Sequence, residues 1–144
     1  MRNDGRLSRM LHVLIHMARH DGPMTSATIA RMLDTNPVLI RRTMSGLRDA
    51  GYVISEKGHG GGWAIAADLN AVTLLDVHRA VGGHRLFAIG IEHSEPSCQV
   101  ASVVNDALGD ALQDAERRLI SRLGSISLAA LVDTFDRRCG AVIA

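Results

Sequence analysis

The sequence predicts a mostly α-helical chain with one small β-hairpin, the wing of a winged helix-turn-helix domain, followed by a long C-terminal helix. Apolar residues recur at helical spacing in three segments before residue 51. A glycine-rich turn then separates two short β-like runs, and a further helical stripe extends over residues 97–121. The 144 residues are 47% hydrophobic and 22% charged, which is typical of a globular chain.

The first two helices are predicted over residues 6–20 and from about residue 25 to 33. Asp21-Gly22-Pro23 ends the first helix, and Thr25 or Ser26 can cap the second. Ile29, Ala30 and Leu33 are expected to face the core. The apolar stripe of the first helix consists of Leu7, Leu11, Leu14, Ile15 and Ala18.

The third helix is predicted from Pro37 to about Ala50. Asn36 can serve as its N-cap, Pro37 suits the first helical position, and Gly51 is a C-terminal stop. Three or four residues separate it from the second helix, which is helix-turn-helix spacing. Its inward face consists of Ile40, Met44 and Leu47, and its opposite face of Val38, Arg41, Arg42, Ser45 and Arg48.

A hairpin follows, with strands predicted at residues 52–55 and 63–65. The turn between them, residues 56–62, contains four glycines together with Lys57 and His59. Three helices followed by such a hairpin predict a winged helix-turn-helix domain over residues 1–67. No helix follows the glycines to hold a phosphate at its N-terminus, so a nucleotide-binding loop is not indicated.

The second segment, residues 68–144, is predicted to hold a linker and a helical dimerisation region. Thr73 and Asp76 resemble a capping box that opens a helix ending before Gly82. Residues 84–97 form the linker, a long helix runs from Ser97 or Cys98 to Ser121, and Ser127 caps a last helix to about residue 138. We expect the long helix to pair with a second copy through Val100, Val104, Leu108, Ala111, Leu112, Ala115 and Leu119, unless this stripe packs within its own subunit.

A helix with one buried face and one arginine face suits the DNA major groove, because arginine can pair bidentately with guanine. The glycines of the hairpin let its tip approach phosphates or the minor groove. The alternatives are a solvated helix face and a flexible surface turn. The candidate DNA-binding residues are Arg6, Ser26, Thr35, Pro37, Val38, Arg41, Arg42, Arg48, Lys57, His59, Gly60, Gly61 and Gly62.

The charge distribution favours an anionic partner for the first half. Residues 1–63 carry nine Lys or Arg and five Asp or Glu, a net charge of +4, whereas residues 64–144 carry a net −3. Aromatic residues make up only 3% of the chain, which argues against a surface that stacks single-stranded bases. Double-stranded DNA is therefore the expected partner.

Several motifs give the chain a resemblance to a known family. They are Leu7-Ser8-Arg9, His12-Val13-Leu14, Thr35-Asn36-Pro37, Arg41-Arg42, Leu47-Arg48-Asp49-Ala50-Gly51, Lys57-Gly58-His59-Gly60-Gly61-Gly62-Trp63 and Thr73-Leu74-Leu75-Asp76-Val77. This set resembles the Rrf-two family of bacterial transcription regulators over nearly the whole chain. The resemblance implies a homodimer that reads a pseudo-palindromic operator, with a sensor in the linker before the long helix.

The chain departs from the best-known members of that family, which bind an iron–sulfur cluster through three closely spaced linker cysteines. The matching window, residues 92–98, contains only Cys98. The chain thus resembles the cluster-free branch, and no cofactor is expected. Cys98 at the first turn of the long helix is a candidate redox sensor, because the helix dipole favours a thiolate, although Glu92 and Glu95 oppose this and the cysteine can also be idle.

Two alternatives to a cofactor-free regulator stay open. One is an iron–sulfur or metal-dependent sensor using His12, His16 and Cys98, since His12, His16 and His20 share one helix stripe. The same stripe also suits the half-polar face of a packed helix. The other is a protein-interaction module whose winged helix no longer binds DNA, which the overall charge of only +1 permits.

The sequence indicates neither an enzyme nor a membrane protein. No serine or cysteine lies in a nucleophile-elbow motif, and no histidine–glutamate pair has metalloprotease spacing. The apolar runs are shorter than a membrane span requires, and the N-terminus does not resemble a signal peptide. We therefore expect a cytoplasmic repressor that responds to a redox or small-molecule effector.

Overall fold

The computed structural model describes residues 4–83, 85–87, 89–92 and 97–143. It contains α1 (Arg6–Ala18), α2 (Ser26–Met32), α3 (Pro37–Asp49), β1 (Val53–Glu56), β2 (Gly62–Ile65), α4 (Leu74–Ala80), α5 (Gln99–Gly124) and α6 (Leu128–Ile143). The predicted fold class, mostly helical with a hairpin wing, is confirmed. Among the helices of these ranges, none combines the length and apolar character that a bilayer crossing demands.

The hairpin is a two-stranded antiparallel sheet. Val53 pairs with Ile65 and Glu56 with Gly62, so residues 57–61 form the tip. The first strand begins one residue later than the sequence predicts, although the carbonyl of Tyr52 still accepts a hydrogen bond from the Ala66 amide at 3.0 Å. The hairpin stays attached to the helices through α3, which β1 contacts directly.

Side-chain caps fix most helix starts where the sequence predicts them. The Thr25 hydroxyl accepts a hydrogen bond from the Thr28 amide, and Ser127 does the same for Ala130. Thr73 and Asp76 form the complete capping box of α4, with hydrogen bonds of 3.1 and 2.9 Å.

Three predicted helix ends differ from the structure. Helix α1 ends at Ala18, because the Arg19 and His20 amides already bond in tight turns to carbonyls three residues back. Helix α5 continues to Gly124, where it packs against Leu75 of α4, and α6 continues to Ile143. Cys98 is the N-cap of α5 and lies just before its first turn, not within it.

One continuous core joins the hairpin, α1, α3, α4 and the start of α6. Its contributors from α1 are Met10, Val13, Leu14 and Met17, of which only Leu14 belongs to the apolar stripe predicted from the sequence. Leu7 and Leu11 lie at the edge of this core. Helix α1 contacts α4, α6 and β2, and a helix covered on several sides buries a wider face than one stripe.

Candidate nucleic-acid interface

Helix α3 presents the arginine face that the sequence predicts. The Asn36 side chain accepts a hydrogen bond from the Val38 amide at 2.7 Å, and Pro37 occupies the first turn. Its inward residues, Ile40, Met44 and Leu47, are buried as expected. The exposed residues on the other side are Val38, Leu39, Arg41, Arg42 and Arg48, with Ser45 half-buried among them.

The turn between α2 and α3 depends on a left-handed residue. Asp34 adopts a φ of 51°, and the Thr35 amide donates to the Ala30 carbonyl at 2.9 Å. This is a Schellman arrangement that closes α2 and reverses the chain within a few residues. Thr35 is half-buried there, directly before the N-cap of α3. The tight turn fixes α3 at a defined angle to α2.

Arg6 and Thr35 come together although they are far apart in sequence. Both line a small cleft between the start of α1 and the helix-turn-helix turn, together with Arg9, Leu39 and Thr43. Arg9 is an exposed cation three residues after Arg6 and therefore on the same helix face, and it is not among the candidate residues that the sequence predicts.

Arg6 already has an acidic partner within its own chain. Its Nε and Nη2 atoms donate to the Asp4 carboxylate at 3.0 and 2.6 Å. This hydrogen bonding to Asp4 raises the pKa of Arg6 above its ordinary value, so the guanidinium stays charged. A DNA phosphate near Arg6 would compete with that carboxylate.

The wing combines an exposed tip with a close approach to α2. Lys57, His59 and Gly60 are exposed. A Cβ at Gly61 would lie 2.2 Å from the Glu56 carbonyl oxygen, and one at Gly62 would lie 2.6 Å from that of Met24. Only glycine fits these two positions, so packing alone requires glycine at both.

Two of the candidate side chains also make contacts inside the protein. The Ser26 oxygen accepts a hydrogen bond from the Trp63 indole at 2.9 Å, which leaves the hydroxyl hydrogen as its donor. Arg48 donates from Nη2 to the Ser45 hydroxyl at 3.0 Å and lies 3.8 Å from the Asp49 carboxylate. The sequence alone did not indicate the role of Trp63 in this arrangement.

Tyr52, at the entrance to the wing, also has a perturbed pKa. Partial burial raises the pKa of its phenol, the nearby Asp76 carboxylate adds to this, and the charge of Arg79 opposes it. A tyrosine phenol is already neutral at physiological pH, and the raised pKa keeps it so.

Helix α5 leaves most of its apolar stripe uncovered at its N-terminal end. Val100 is 74% exposed, and Val103, which the sequence analysis omitted, is 70% exposed; Val104, Leu108 and Ala111 are also exposed. The C-terminal part of the stripe, Leu112, Ala115 and Leu119, is half-buried. Leu119 lines a cavity of about 230 Å³ that α5 shares with Arg6 of α1 and Val81 beyond α4.

The cysteines and histidines do not form a metal-binding set in the described ranges. Cys98, the N-cap of α5, and Cys139 of α6 are free thiols, and both are exposed. His12 and His16 stack with ring centroids 4.8 Å apart, whereas the Nδ1 atom of His20 lies 3.0 Å from the Gly22 carbonyl oxygen. Part of the sensor window, residues 93–96 including Glu95, lies outside the described residues.

An iron centre therefore lacks a matching donor set in what the structure describes. No group of three histidine, cysteine, aspartate or glutamate side chains comes together over residues 4–83, 85–87, 89–92 and 97–143. The linker cysteine is Cys98 alone, and the second cysteine lies in α6. The residues of this chain do not fit a three-cysteine cluster.

A tight helix-turn-helix, an exposed arginine face and a glycine-rich wing define a winged-helix regulator of transcription. The chain belongs to the Rrf2 family, whose model, described as "Iron-dependent Transcriptional regulator", matches residues 4–134. It is 32% identical over 126 residues to YwnA of Bacillus subtilis, named as an HTH-type transcriptional regulator; the match covers 87% of this chain and 92% of that protein.

Other relatives agree with this assignment. The chain is 31% identical over 131 residues to the HTH-type transcriptional regulator IscR of Yersinia pestis, covering 90% of this chain and 76% of IscR. Among solved structures, T. potens IscR superposes with a TM-score of 0.68 at 18% identity, covering 93% and 88% of the two chains. CymR of B. subtilis has a TM-score of 0.63 at 24% identity, covering 93% and 98%. At these identities the two structures support the fold alone.

Proposed function

We propose that this DNA-binding transcriptional regulator acts as a homodimer that represses a promoter by occupying a pseudo-palindromic operator. The observation that carries the proposal is α3, with three exposed arginines on one side and a fully buried apolar face on the other. A helix in this setting can enter the major groove without exposing its core residues.

Base contacts are assigned to the first two turns of α3. Arg41 and Arg42 would reach base edges, and Pro37 and Val38 would pack against the groove near the N-terminal end of the helix. Lys57, His59 and the glycines 60–62 of the wing would follow phosphates or the minor groove. Arg6, Ser26 and Thr35 are proposed as backbone contacts, and for Arg6 this requires exchange of Asp4 for a phosphate.

The second copy is proposed to cover the exposed end of α5. No residue of α5 is buried within the single chain, and exposed apolar residues that lie next to one another along a helix are typical of an interaction surface. Two copies paired along Val100, Val104 and Leu108 would bury this surface and carry two winged helices. The chain itself half-buries Leu112, Ala115 and Leu119, so these residues would extend the interface only through the surface they leave exposed.

We assign the chain a role in binding and no catalytic residue, and we place it in the cytoplasm with the bacterial chromosome. The signal is proposed to act between the two halves, where the linker meets α5. Cys98 is one candidate, because its thiol is exposed and makes no capping hydrogen bond. A small-molecule effector is the other candidate, and it would bind at a different place, the cavity that Leu86 of the linker shares with Arg6 and with Leu119 near the C-terminal end of α5.

The test is DNase footprinting of genomic fragments that the purified protein retards at moderate salt. We expect a protected site with two related halves, occupied by two copies of the chain, and reduced transcription from the promoter that contains it. Equal retardation of every fragment would contradict operator recognition. A single protected half-site with one bound copy would contradict the dimer.

A further inference from the structure

Trp63 of the wing contacts the segment that leads into the helix-turn-helix. Its amide donates to the Met24 carbonyl at 2.8 Å, and its carbonyl accepts from the Met24 amide at 2.9 Å. Its indole Nε1 donates to the Ser26 hydroxyl, the first residue of α2. The side chain is only 7% exposed. Three hydrogen bonds therefore fix both the backbone and the ring of this residue.

Arg48 approaches the same ring from α3. Its guanidinium carbon lies 6.0 Å from the centroid of the Trp63 ring, within the range of a cation–π contact. The Arg48 side chain is half exposed, and Ser45 accepts one of its hydrogen bonds from the same helix. The ring and Ser45 together restrict a side chain that would otherwise sample many rotamers.

The position of Arg48 differs from that of the other arginines on α3. Arg41 and Arg42 lie in the second turn, whereas Arg48 lies in the last turn, beside the wing. In helix-turn-helix proteins the N-terminal residues of the recognition helix contact base edges. A guanidinium at the other end, next to a strand of the wing, is placed for the sugar–phosphate backbone.

We propose that Trp63 is a positioning residue for DNA binding, which holds the Arg48 guanidinium at the junction of α3 and the wing to contact a backbone phosphate. The inference rests on the proposed function and gives Arg48 a different role from the base contact that the sequence suggests. Gly62 contributes by allowing β2 to approach the Met24 carbonyl, because any side chain there would meet that oxygen.

The test is a double-mutant cycle on operator affinity with Arg48→Ala and Trp63→Leu. In the parent, we expect Arg48→Ala to weaken binding about tenfold on operator and unrelated DNA alike. We also expect it to lower the salt slope, which is the steepness with which log affinity falls with log salt concentration, by about one. In the Trp63→Leu background the loss should be about two- to fivefold smaller, the range of a cation–π contact at an exposed site. Arg41→Ala is the matched control, and its effect should be equal in both backgrounds.

The outcomes separate this inference from the function on which it rests. Operator binding by the parent, with the same Arg48→Ala loss in both backgrounds, overturns the inference alone. An Arg48→Ala loss confined to the operator also overturns it, since that indicates a base contact. A parent that binds no DNA overturns the proposed function and this inference together.

A second variant and a spectroscopic measurement guard against misfolding of Trp63→Leu. If that variant does not fold, Trp63→Phe replaces it, because phenylalanine keeps a ring that attracts cations less strongly. The quantity compared is the Arg48→Ala loss of affinity in the parent divided by the same loss in the Trp63→Phe background. A ratio above one supports the inference, and a ratio of one overturns it. In the free protein, the δ protons of Arg48 should show an upfield ring-current shift that decreases in Trp63→Phe. No such shift in the parent would overturn the inference.

Discussion

Arg41 and Lys57 are both exposed cations, but they lie on elements that are proposed to contact different parts of the DNA, the bases and the phosphates. Arg41 is on the outer face of α3, and Lys57 is at the tip of the wing. We predict that Arg41→Ala weakens operator binding by about ten- to hundredfold, with a smaller effect on unrelated DNA, because it removes a base contact. Lys57→Ala should weaken both equally and lower the salt slope by about one.

Fluorescence anisotropy on operator and scrambled duplexes at several salt concentrations measures both effects. Arg117→Ala is the matched control, because Arg117 is an exposed cation on α5 that pairs with Asp114, away from the winged helix. It should change neither affinity nor slope. Uniform losses in both Arg41→Ala and Lys57→Ala on every duplex would show that the two roles are wrongly assigned.

Cys98 and Cys139 provide a matched pair of exposed thiols for the redox question. If Cys98 is the sensor, peroxide should lower the operator affinity of the parent by at least about fivefold, a usual lower limit for allosteric coupling. Cys98→Ser should keep its affinity after the same treatment, and Cys139→Ser should respond like the parent. Equal responses of the parent and Cys98→Ser would remove this cysteine from the mechanism.

Among the individual residues, the sequence predicted those whose role depends on local spacing. Ile40, Met44 and Leu47 follow one helix face, and their burial was predictable. The hydrogen bond from Trp63 to Ser26 spans 37 positions, and the Arg48 contact depends on how the wing docks. No local pattern encodes such pairs, so these internal roles emerged only with the fold.

At the scale of the elements, Gly46 is where α3 and α4 approach each other. A Cβ at Gly46 would lie 2.3 Å from the Ala80 carbonyl oxygen, which is backbone and cannot rotate away. We predict that Gly46→Ala lowers the free energy of unfolding by about 1–3 kcal/mol, as overpacking does, and also weakens operator binding. Urea denaturation combined with DNA titration measures both.

Gly109 of α5 is the matched helical glycine. A Cβ there would make an ordinary 3.5 Å contact with the Ile91 side chain. Gly109→Ala should therefore stabilise the protein by about 0.5–1 kcal/mol through helix propensity. Similar stabilisation by Gly46→Ala would mean that α3 and α4 are farther apart than the structure has them.

The elements themselves were largely predictable because their ends carry strong local signals. The caps at Asn36, Thr73 and Ser127 and the stop at Gly51 all lie where the sequence indicates. The buried face of α1 was less predictable, since neighbours on several sides bury Met10, Val13 and Met17 as well as Leu14. Periodicity finds one face and does not show how many neighbours a helix will have.

At the scale of the whole molecule, the exposed end of α5 makes dimerisation testable. Leu108→Asp should convert the dimer to monomers and weaken operator binding by at least about tenfold, because it places a charge in an apolar interface. Sedimentation equilibrium and DNA titration are the measurements. Ser102→Asp, an exposed polar position on the same helix, is the control and should remain dimeric. A parent that is monomeric at micromolar concentration would contradict the proposed assembly.

The way the two halves join was beyond sequence reasoning. Arg19, the C-cap of α1, forms a two-point ion pair with Asp136 of α6, one contact of which is 2.8 Å from Nε to Oδ1. Leu74, Val77 and Leu128 of the second half belong to the same core as α1 and α3. Charge and spacing divided the chain near residue 67, whereas packing depends on contacts between distant residues that neither property encodes.

Helix α5, which is proposed to join the copies, is connected to α3 through this core, because Leu123 packs against it and Gly124 lies against Leu75 of α4. The distance and the rotation between the two α3 helices of a dimer would then be set by the angle at which the two α5 helices cross. One base pair inserted between half-sites turns the second about a tenth of a revolution away from its match. Operators with altered spacers should therefore be rejected even though both half-sites are intact.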